Sequence, residues 1–352
     1  MRILFWPFAQ LYGCIIIIRN FLFDVGVLPE KSFNFPVICI GNLKTGGTGK
    51  SPHVFYLAHF LNSYKKVTIL SRGYGRSSKG FYFVNATDSA ALVGDESLQY
   101  AQQMPNLSVA VCEKRVQGIE QIISKKGVPE VLILDDAFQH RYVKAGLNIL
   151  LTEYDDLYVN DALLPAGRLR EPISSAKRAN CIIVTKCPAS ISDLEINKIK
   201  KQLNPNSKQS VFYSTIHYND FLTTQNGDGV LINELKDKNV LLLTGIANPK
   251  PLKSFLSNYC SNIVELKFSD HHTYSVADMV QLRKKFDMFA RSSENNTTLI
   301  VTTRKDEMRL QKPELKMLIN DLPIAVIDID INFLGNQSVE FNKLIKNYVE
   351  SY

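Results

Sequence analysis

The most informative segment of this chain is Lys44-Thr45-Gly46-Gly47-Thr48-Gly49-Lys50-Ser51, followed by Pro52. An apolar run at 37–40 precedes it, and a helical pattern from 52 to 61 follows it. Between a strand and a helix, such a loop binds phosphate through backbone N–H groups and the helix N-terminus. The lysine then reaches the β and γ oxygens, and the serine hydroxyl contacts Mg²⁺. The strict motif needs glycine at position 44, but the context favours a phosphate-binding loop over a flexible glycine turn.

Length and composition indicate a folded body of two domains. At roughly 150 residues per domain, the 352 residues predict two α/β domains. A hydrophobic share of 45% with 21% charged residues excludes a disordered chain, a collagen-like fibre and a polytopic membrane protein. The net charge of +7 suits phosphates or an anionic membrane surface, and we predict no nucleic-acid partner because the excess is mild. The 6 cysteines form no CxxC pair, which favours a reducing compartment over a zinc site.

Apolar runs alternate with helical patterns along the chain. The predicted strands are 37–40, 67–70, 108–112, 131–134, 147–151, 181–185, 240–243, 263–268, 298–302 and 324–329. Strands separated by helices imply parallel pairing, with ligands at the carboxyl ends of the strands. The pattern therefore predicts an α/β fold, a doubly wound parallel sheet of the P-loop NTPase type with a second, smaller α/β domain. The predicted parts are a hydrophobic N-terminal segment at 1–30, a core domain at 31–215, a linker at 216–235 and a C-terminal α/β domain at 236–352.

The N-terminal segment is more apolar than is usual in a soluble protein. Sixteen uncharged residues lie between Arg2 and Arg19. As a helix they would extend about 24 Å, less than the roughly 30 Å hydrocarbon core of a bilayer. Pro7, Gln10 and Gly13 also argue against a helix that spans the whole bilayer. A signal peptide is disfavoured because no small-residue cleavage site follows the apolar run. We expect a membrane-associated helix that lies in one leaflet; the alternative is a core helix of a soluble domain.

Two carboxylates stand at the end of another predicted strand, where Asp135 and Asp136 follow the run 131–134. A Mg²⁺–nucleotide site needs this arrangement opposite its phosphate loop. By themselves, two aspartates at a strand end would more often form a turn or cap a helix. Together with the glycine-rich loop they predict a nucleotide site, and the sequence does not assign Mg²⁺ between them.

Further motifs give the chain a family resemblance. They are Gly41-Asn42, Gly46 to Pro52, Ser71-Arg72-Gly73-Tyr74-Gly75-Arg76, Gly94-Asp95-Glu96, Asp135 to Arg141, Leu164 to Pro172, Thr244 to Ala247 and Asp270-His271. In content and order they closely resemble tetraacyldisaccharide 4'-kinase, the lipid A 4'-kinase of Gram-negative bacteria. The resemblance implies ATP- and Mg²⁺-dependent phosphorylation of the 4'-hydroxyl of an acylated glucosamine disaccharide 1-phosphate. It places this reaction at the cytoplasmic face of the inner membrane, and no protein partner is predicted.

The resemblance also implies roles for single residues. Lys50 neutralises charge on the transferred phosphoryl group. Asp95 resembles the catalytic base of the family, and His271 resembles the histidine that pairs with it. His272 stays open as the paired residue, because the sequence does not separate two neighbours. Without the resemblance, Asp95 would be interpreted as a helix N-cap and His271 as a loop histidine.

Further candidates surround these motifs. The nucleotide contacts are Thr45, Gly46, Gly47, Thr48, Gly49, Lys50, Ser51 and Pro52, and the metal ligands are Ser51, Asp135, Asp136 and Glu171. Candidate substrate contacts are Arg72, Arg115, Gln139, His140, Arg168 and Arg170. The alternative for each of these polar side chains is a solvated surface position.

Two other function classes share part of this pattern. A membrane-associated P-loop ATPase switch would have the phosphate loop, the strand-end aspartates and the anchor without an acceptor pocket. A metallochaperone-type GTPase should also have a Cys/His metal cluster and an N-K-x-D element. Thr185-Lys186-Cys187-Pro188 is only a faint match to that element, because it lacks the aspartate.

Overall fold

The computed structural model describes residues 2–224, 227–270, 272–291 and 297–352. Its strands are β1 Val37–Asn42, β2 Val67–Ser71, β3 Tyr82–Phe83, β4 Ser108–Val111, β5 Val131–Asp135, β6 Leu147–Glu153, β7 Cys181–Thr185, β8 Ser210–Thr224, β9 Gly229–Leu231, β10 Lys238–Thr244, β11 Asn262–Lys267, β12 Thr297–Thr303 and β13 Ile324–Phe333. Its α-helices are α1 Arg2–Asp24, α2 Lys50–Asn62, α3 Ala90–Val93, α4 Asp95–Gln103, α5 Arg115–Lys126, α6 Asp193–Leu203, α7 Lys250–Leu256, α8 Val276–Arg291, α9 Arg304–Leu310, α10 Pro313–Ile319 and α11 Gln337–Glu350.

Contacts divide the chain into two compact units. Unit 1 comprises Met1–Ala86, Tyr100–Ile216 and Ile331–Tyr352, and unit 2 comprises Thr87–Gln99 and His217–Asp330. Two segments therefore group away from their neighbours in sequence. The predicted C-terminal domain included 331–352, which groups with unit 1, and the predicted core domain included 87–99, which groups with unit 2. The predicted linker at 216–235 contains the end of β8, strand β9 and a short 3₁₀ helix.

Unit 1 is built on a sheet with the strand order β3-β4-β2-β5-β1-β6-β7-β8. All of its pairs are parallel except β3 with β4. β1 lies between β5 and β6, with Ile40 opposite Asp135 and Ile149. Strands covered on both faces need continuous apolar runs, and β1, β2, β5 and β7 are buried at every position. The predicted doubly wound parallel sheet is confirmed.

The C-terminal helix α11 belongs to this unit because of its aromatic contacts. Phe341 stacks on Phe333 with ring centroids 4.7 Å apart and meets Phe212 of β8 edge-on at 5.3 Å. The Tyr348 hydroxyl donates to the carbonyl oxygen of Val37 and accepts from its N–H group, both at 3.0 Å. These contacts join the end of the chain to the central strand of the sheet.

Unit 2 contains the parallel sheet β11-β10-β12-β13, and β9 pairs antiparallel with the end of β8. Alternate residues of β10 face two apolar clusters, as the two-residue period of a strand requires. Leu241 and Leu243 pack in a cluster with residues of α8 and α10, whereas Val240 and Leu242 pack with residues of α7. This second α/β body agrees with the predicted smaller domain.

Helix α1, which is part of unit 1, packs one face on the rest of that unit and exposes the other. Ala9 and Phe23 are buried, while Leu11, Ile15 and Ile18 are more than half exposed. By length and composition, the segment Leu4–Asp24 is long and apolar enough to cross a membrane. The helix continues past Arg19 to a length of 23 residues, so it is longer than the uncharged run. Length alone therefore does not decide between lying in one leaflet and crossing the bilayer.

Candidate active site

The phosphate loop leaves β1 at Asn42 and enters α2 at Lys50, so it lies between a strand and a helix as predicted, although both elements extend two residues further into the loop than the predicted 37–40 and 52–61. Gly49 precedes the helix in the left-handed region, with φ of 82°, and Gly46 has φ of 118°. A Cβ atom at Gly46 or Gly47 would meet no heavy atom within 4 Å, so the backbone is open there. Gly49 has no side chain to cap α2, and the first N–H groups of the helix are suited to an anion.

Side chains behind the loop fix its shape. The Asn42 amide donates to Thr48 Oγ1 at 2.7 Å, and Thr185 Oγ1 donates to the Thr48 carbonyl at 3.0 Å. Both Asn42 and Thr48 are buried. Thr185 ends β7, which is separated from β1 by β6, so the ends of two strands of the sheet hold the loop.

His53 on the first turns of α2 supports the same loop. Its Nδ1 lies 2.7 Å from the Gly49 carbonyl, and its Nε2 lies 2.9 Å from Ser214 Oγ. A carbonyl only accepts, so Nδ1 carries the proton and Nε2 accepts from the serine hydroxyl. Burial lowers the pKa of His53 to about 4. The ring is therefore neutral near pH 7 and acts as a support.

Lys50, Asp136 and Arg170 form a charged cluster beside the loop. Lys50 Nζ lies 3.9 Å from Asp136 Oδ1, and Arg170 donates to both Asp136 oxygens at 3.2 and 2.8 Å. Burial would raise the pKa of Asp136, but the Lys50 and Arg170 charges outweigh it and lower the pKa to about 2. Asp136 is therefore ionised across the physiological range. Three residues from three predicted motifs meet here.

Asp135 lies deeper than its neighbour and is almost fully buried. Its Oδ2 accepts from Ser71 Oγ at 3.2 Å and from the Tyr100 hydroxyl at 3.4 Å. Arg115 is also buried, and it donates to the carbonyl oxygens of Cys112 and Asp135 at 2.6 and 3.1 Å. Arg115 thus fixes the ends of β4 and β5.

The segment 168–170 pairs with the entry of the loop through its main chain. Thr45 N donates to the Arg168 carbonyl at 2.8 Å, and Arg170 N donates to the Leu43 carbonyl at 2.7 Å. Arg170 also donates to the Asn42 carbonyl at 3.0 Å and to the Asn42 side-chain oxygen. The motif at 164–172 is therefore part of the wall of the site.

Lys44 explains why the loop departs from the strict glycine motif. Its side chain is buried and forms ion pairs with Asp156 and, at 3.3 Å, with Asp161. Arg168 Nη2 and Nε contact the same two carboxylates at 2.6 and 3.1 Å. A glycine at position 44 could not make this network. This network was not predictable from a local motif, because Asp156 and Asp161 lie more than a hundred residues away in the chain.

Gln139, His140 and Arg72 follow the strand ends next to the cluster. Gln139 Nε2 donates to the Asn42 carbonyl at 2.9 Å, and its side-chain oxygen is buried without a hydrogen-bond partner among the described residues. Burial, followed by the charges of Arg115 and Arg72, lowers the pKa of His140 to about 4. Arg72 itself is exposed. These side chains can present donors and one positive charge to an anionic ligand.

Glu171 is buried against two arginines. Arg178 Nη2 donates to its Oε2 at 2.5 Å, and Arg19 of α1 lies 3.8 Å from Oε1. Oε1 has no hydrogen-bond partner among the described residues. The Tyr12 hydroxyl of α1 donates to the Arg170 carbonyl at 2.8 Å. The N-terminal helix therefore contacts the wall of the site directly.

The donor set fits a hard cation that binds together with phosphate. Within the described ranges, no three His, Cys, Asp or Glu side chains cluster as a ready metal site. Ser51 follows Lys50 at the start of α2, and Asp135 and Asp136 end the strand next to β1. Mg²⁺ prefers one or two carboxylates completed by phosphate oxygens and water, so these residues suit it.

Of the remaining predicted residues, Asp95 and His272 lie in unit 2. Arg309 of α9 donates to Asp95 Oδ2 at 2.7 and 3.1 Å, and Lys305 pairs with Glu96 at 2.6 Å. His271 lies outside the described residues. His272 Nε2 lies 3.0 Å from Asp278 Oδ2. The sequence did not predict Arg309, because α9 carried no recognised motif.

Fold and site together define a P-loop protein of the phosphoryl-transfer class. Comparison with known proteins then gives the family. The family model for tetraacyldisaccharide-1-P 4'-kinase matches residues 1–350. The chain therefore belongs to the tetraacyldisaccharide-1-P 4'-kinase family, and the sequence-based resemblance is confirmed.

Individual relatives agree over the full length. A tetraacyldisaccharide 4'-kinase of Flavobacterium psychrophilum is 44% identical over 354 residues, covering 100% of this chain and 98% of the relative. The Bacteroides thetaiotaomicron enzyme of the same name is 43% identical, with 98% of this chain and 92% of the relative covered. The crystal structure of LpxK from Aquifex aeolicus in complex with ATP has a TM-score of 0.75 and 30% identity, with 99% of both chains covered. This similarity confirms the predicted P-loop kinase fold.

Proposed function

We propose that this protein transfers the γ-phosphoryl group of ATP to the 4'-hydroxyl of a tetraacylated glucosamine disaccharide 1-phosphate. The observation that carries the proposal is the phosphate loop, with its open glycine backbone beside Lys50, Asp136 and Arg170. Phosphoryl transfer needs chiefly positioning and charge neutralisation, which this arrangement provides. The identity of the acceptor is inferred from the family to which the chain belongs. The phosphate donor is inferred from the related crystal structure of the Aquifex aeolicus protein in complex with ATP.

The nucleotide is bound by residues 45–52. Thr45 N and Thr48 N already donate to the carbonyls of Arg168 and Gly46, and Pro52 has no N–H group. The remaining N–H groups of the loop and the N-terminus of α2 hold the phosphates, and Lys50 contacts the transferred group. Lys50 is only loosely paired with Asp136, at 3.9 Å, so its ammonium can turn to a phosphate oxygen. Arg170 keeps its two hydrogen bonds to Asp136 and preserves the shape of the site.

Mg²⁺ would be held by Ser51 with Asp135 or Asp136, and Glu171 is a further proposed ligand. When bound, the cation supplies charge neutralisation between the β- and γ-phosphates. The chain contributes ionised oxygens, because the low pKa of Asp136 keeps that carboxylate charged. The buried Oε1 of Glu171, which lacks a hydrogen-bond partner among the described residues, supports its assignment.

Asp95 is the proposed acceptor of the proton from the sugar hydroxyl, with His271 as its proposed partner. Asp95 is mostly buried, and the Arg309 guanidinium contacts it. A carboxylate beside a positive charge stays ionised, as a proton acceptor must. His272 is a less suitable partner, because its ring stacks on Phe268 at 4.6 Å and pairs with Asp278.

Arg72, Arg115, Gln139, His140, Arg168 and Arg170 are the proposed substrate contacts. They differ in how they can act. Arg72 is exposed and can bind the 1-phosphate directly, whereas Arg115 donates to the main chain and can act only by fixing strand ends. Arg168 is half exposed and can reach the lipid from its pair with Asp156 and Asp161.

Helix α1 is proposed to seat the protein on the cytoplasmic face of the inner membrane without crossing it. Its buried face follows unit 1 from Ala9 to Phe23, and Arg141 donates to the Asn20 carbonyl at 2.9 Å. The contacts of Ala9, Asn20 and Phe23 with the rest of unit 1 favour a helix that lies at the membrane surface beside that body. An apolar cavity of about 200 Å³ between α1 and residues 161–173 offers space for part of an acyl chain.

The proposal is tested by measuring ADP formation with and without the disaccharide lipid. ADP should form only when the lipid is present, and labelled phosphate should appear in the lipid fraction. ATP turnover that is independent of lipid would instead support the membrane-associated ATPase switch. GTP preferred over ATP would support the metallochaperone-type alternative.

A further inference from the structure

Asp95 is held by one arginine that donates twice to the same oxygen. Arg309 Nη2 and Nε lie 2.7 and 3.1 Å from Asp95 Oδ2. Both side chains are mostly buried, at 8% and 11% exposure. The other carboxylate oxygen, Oδ1, accepts from the N–H group of Glu96 at 3.0 Å. These contacts fix the plane of the carboxylate at the start of α4.

Arg309 is itself fixed from behind. Its Nη1 donates to the Gly245 carbonyl at 2.9 Å and to Asp306 Oδ1 at 3.2 Å. Asp306 is fully buried and also accepts from Gly245 N at 3.0 Å, the Tyr274 hydroxyl at 3.1 Å and Thr303 Oγ1 at 2.8 Å. A guanidinium locked in this way presents its remaining N–H groups in one direction.

The charges around Asp95 are unevenly distributed. Arg309 contacts it, and Lys305, one turn earlier on α9, pairs with the neighbouring Glu96 at 2.6 Å. The negative Asp306 lies behind Arg309, and Tyr274 contacts Asp306 with a hydroxyl whose pKa is raised by burial. A positive charge therefore contacts the Asp95 carboxylate directly.

We propose that Arg309 is a positioning residue for phosphoryl transfer, which orients the Asp95 carboxylate and keeps it ionised. This inference rests on the proposed function, in which Asp95 accepts a proton. In that reaction the acceptor O–H bond breaks and its proton goes to Asp95. The oxygen forms a bond to the γ-phosphorus, and the bond to the β,γ-bridging oxygen breaks to release ADP. Arg309 touches none of these reacting atoms and acts through Asp95.

The decisive variant is Arg309→Met, which keeps the length of the side chain and removes its charge. We expect kcat to fall by about 10- to 100-fold, the range that a misplaced general base gives, with KM for ATP nearly unchanged. Without the positive neighbour the pKa of Asp95 rises, so the acidic limb of the pH profile of kcat should move upward by about one pH unit. Arg309→Lys retains the positive charge but loses the two-pronged geometry of the guanidinium. We therefore expect kcat to fall while the acidic limb of the pH profile stays in place.

Arg304→Met is the matched control. Arg304 lies on the same helix and is also mostly covered, at 17% exposure, but its guanidinium pairs with Asp328 and Glu307. Its removal should lower thermal stability without moving the acidic limb. The proposal would be overturned if the Arg304 and Arg309 variants lost kcat equally and the acidic limb of the pH profile of kcat stayed in place in both. If Arg309→Met does not fold, wild-type kcat in Arg309→Lys would overturn it equally.

Two further measurements separate this inference from the proposed function. Arg309→Met should have little added effect on kcat in an Asp95→Asn background, because residues that act as a unit are non-additive. A full additional loss there would show that Arg309 acts elsewhere, and the kinase assignment would stand. Failure of the wild-type protein to label the lipid, or full activity of Asp95→Asn, would contradict the proposed function instead.

Discussion

Asp136 at the phosphate loop is paired with two positive side chains, closely with Arg170 and loosely with Lys50. Arg170 makes two hydrogen bonds to Asp136, while Lys50 approaches it only to 3.9 Å. The arginine therefore maintains the shape of the site, and the lysine can exchange a carboxylate for a phosphate. The sequence predicted all three residues but not their pairing, because they are far apart in the chain.

The first prediction concerns Lys50. Lys50→Ala should lose most of kcat, by about 100-fold or more, because an electrostatic contact to the transferred group is removed. The fold should persist, since the side chain carries no core packing. Turnover with ATP and lipid measures the loss, and circular dichroism checks the fold. Lys66→Met, an exposed lysine after α2, is the control. Near wild-type turnover of folded Lys50→Ala would refute the nucleotide site.

The second prediction concerns acid stability. The pKa of Asp136 lies at about 2 in the folded chain, below its ordinary value of 3.8. A depressed carboxylate pKa stabilises the fold above pH 3.8, and that stabilisation disappears as the pH falls through about 2. Asp136→Asn should therefore have a lower free energy of unfolding than wild type at pH 6, with a gap that narrows below pH 4. Urea denaturation at several pH values measures this. A difference in the free energy of unfolding that does not change with pH would contradict the pairing of Asp136 with Lys50 and Arg170.

Single elements show where sequence patterns suffice. The strands β1, β5 and β7 were predicted within two residues, because strands buried on both faces need unbroken apolar runs. The uncharged run in α1 stops before Arg19, yet the helix continues through this residue to Asp24. In the structure Arg19 instead donates to the Gln139 carbonyl at 2.9 Å, so a charged residue continues the helix. A contact that distant in sequence leaves no local pattern.

The third prediction belongs to α1. The double variant Leu11→Glu, Ile15→Glu should bind vesicles of anionic phospholipid about tenfold more weakly or worse, because two exposed apolar side chains no longer enter the bilayer. Its melting temperature should be unchanged, since neither side chain packs on unit 1. Vesicle sedimentation and thermal denaturation measure the two quantities. Leu194→Glu, at an exposed leucine of α6, is the control. Unchanged vesicle binding of the double variant would contradict the anchor.

Over the whole molecule, the chain order does not follow the compact units. The C-terminal helix α11 groups with unit 1, and the segment 87–99 groups with unit 2. Sequence boundaries rest on local composition, which contains no information about which body a terminal helix packs against. The site is affected likewise: the loop and its aspartates were recognisable as motifs, whereas Lys44 and Arg309 act through partners distant in sequence.

The fourth prediction tests the grouping of α11. Phe341→Ala should lower the free energy of unfolding by about 3–5 kcal/mol, the usual cost of a buried phenylalanine. The loss should appear in unit 1 as faster hydrogen exchange in β1 and β8, where Phe212 and Tyr348 make their contacts. Val339→Ala, exposed on the same helix, should change neither quantity. Faster exchange confined to β10 and β12 would contradict the grouping.

In the proposed function, the phosphate loop serves transfer to one sugar hydroxyl. The most direct measurement is the position of the new phosphate in the product, determined by phosphorus NMR and fragmentation mass spectrometry after incubation with ATP, Mg²⁺ and the tetraacylated disaccharide 1-phosphate. We expect a bisphosphorylated lipid with the added phosphate on the 4'-oxygen of the distal glucosamine. A phosphate at any other oxygen, or ADP formed with no phosphorylated lipid, would contradict it.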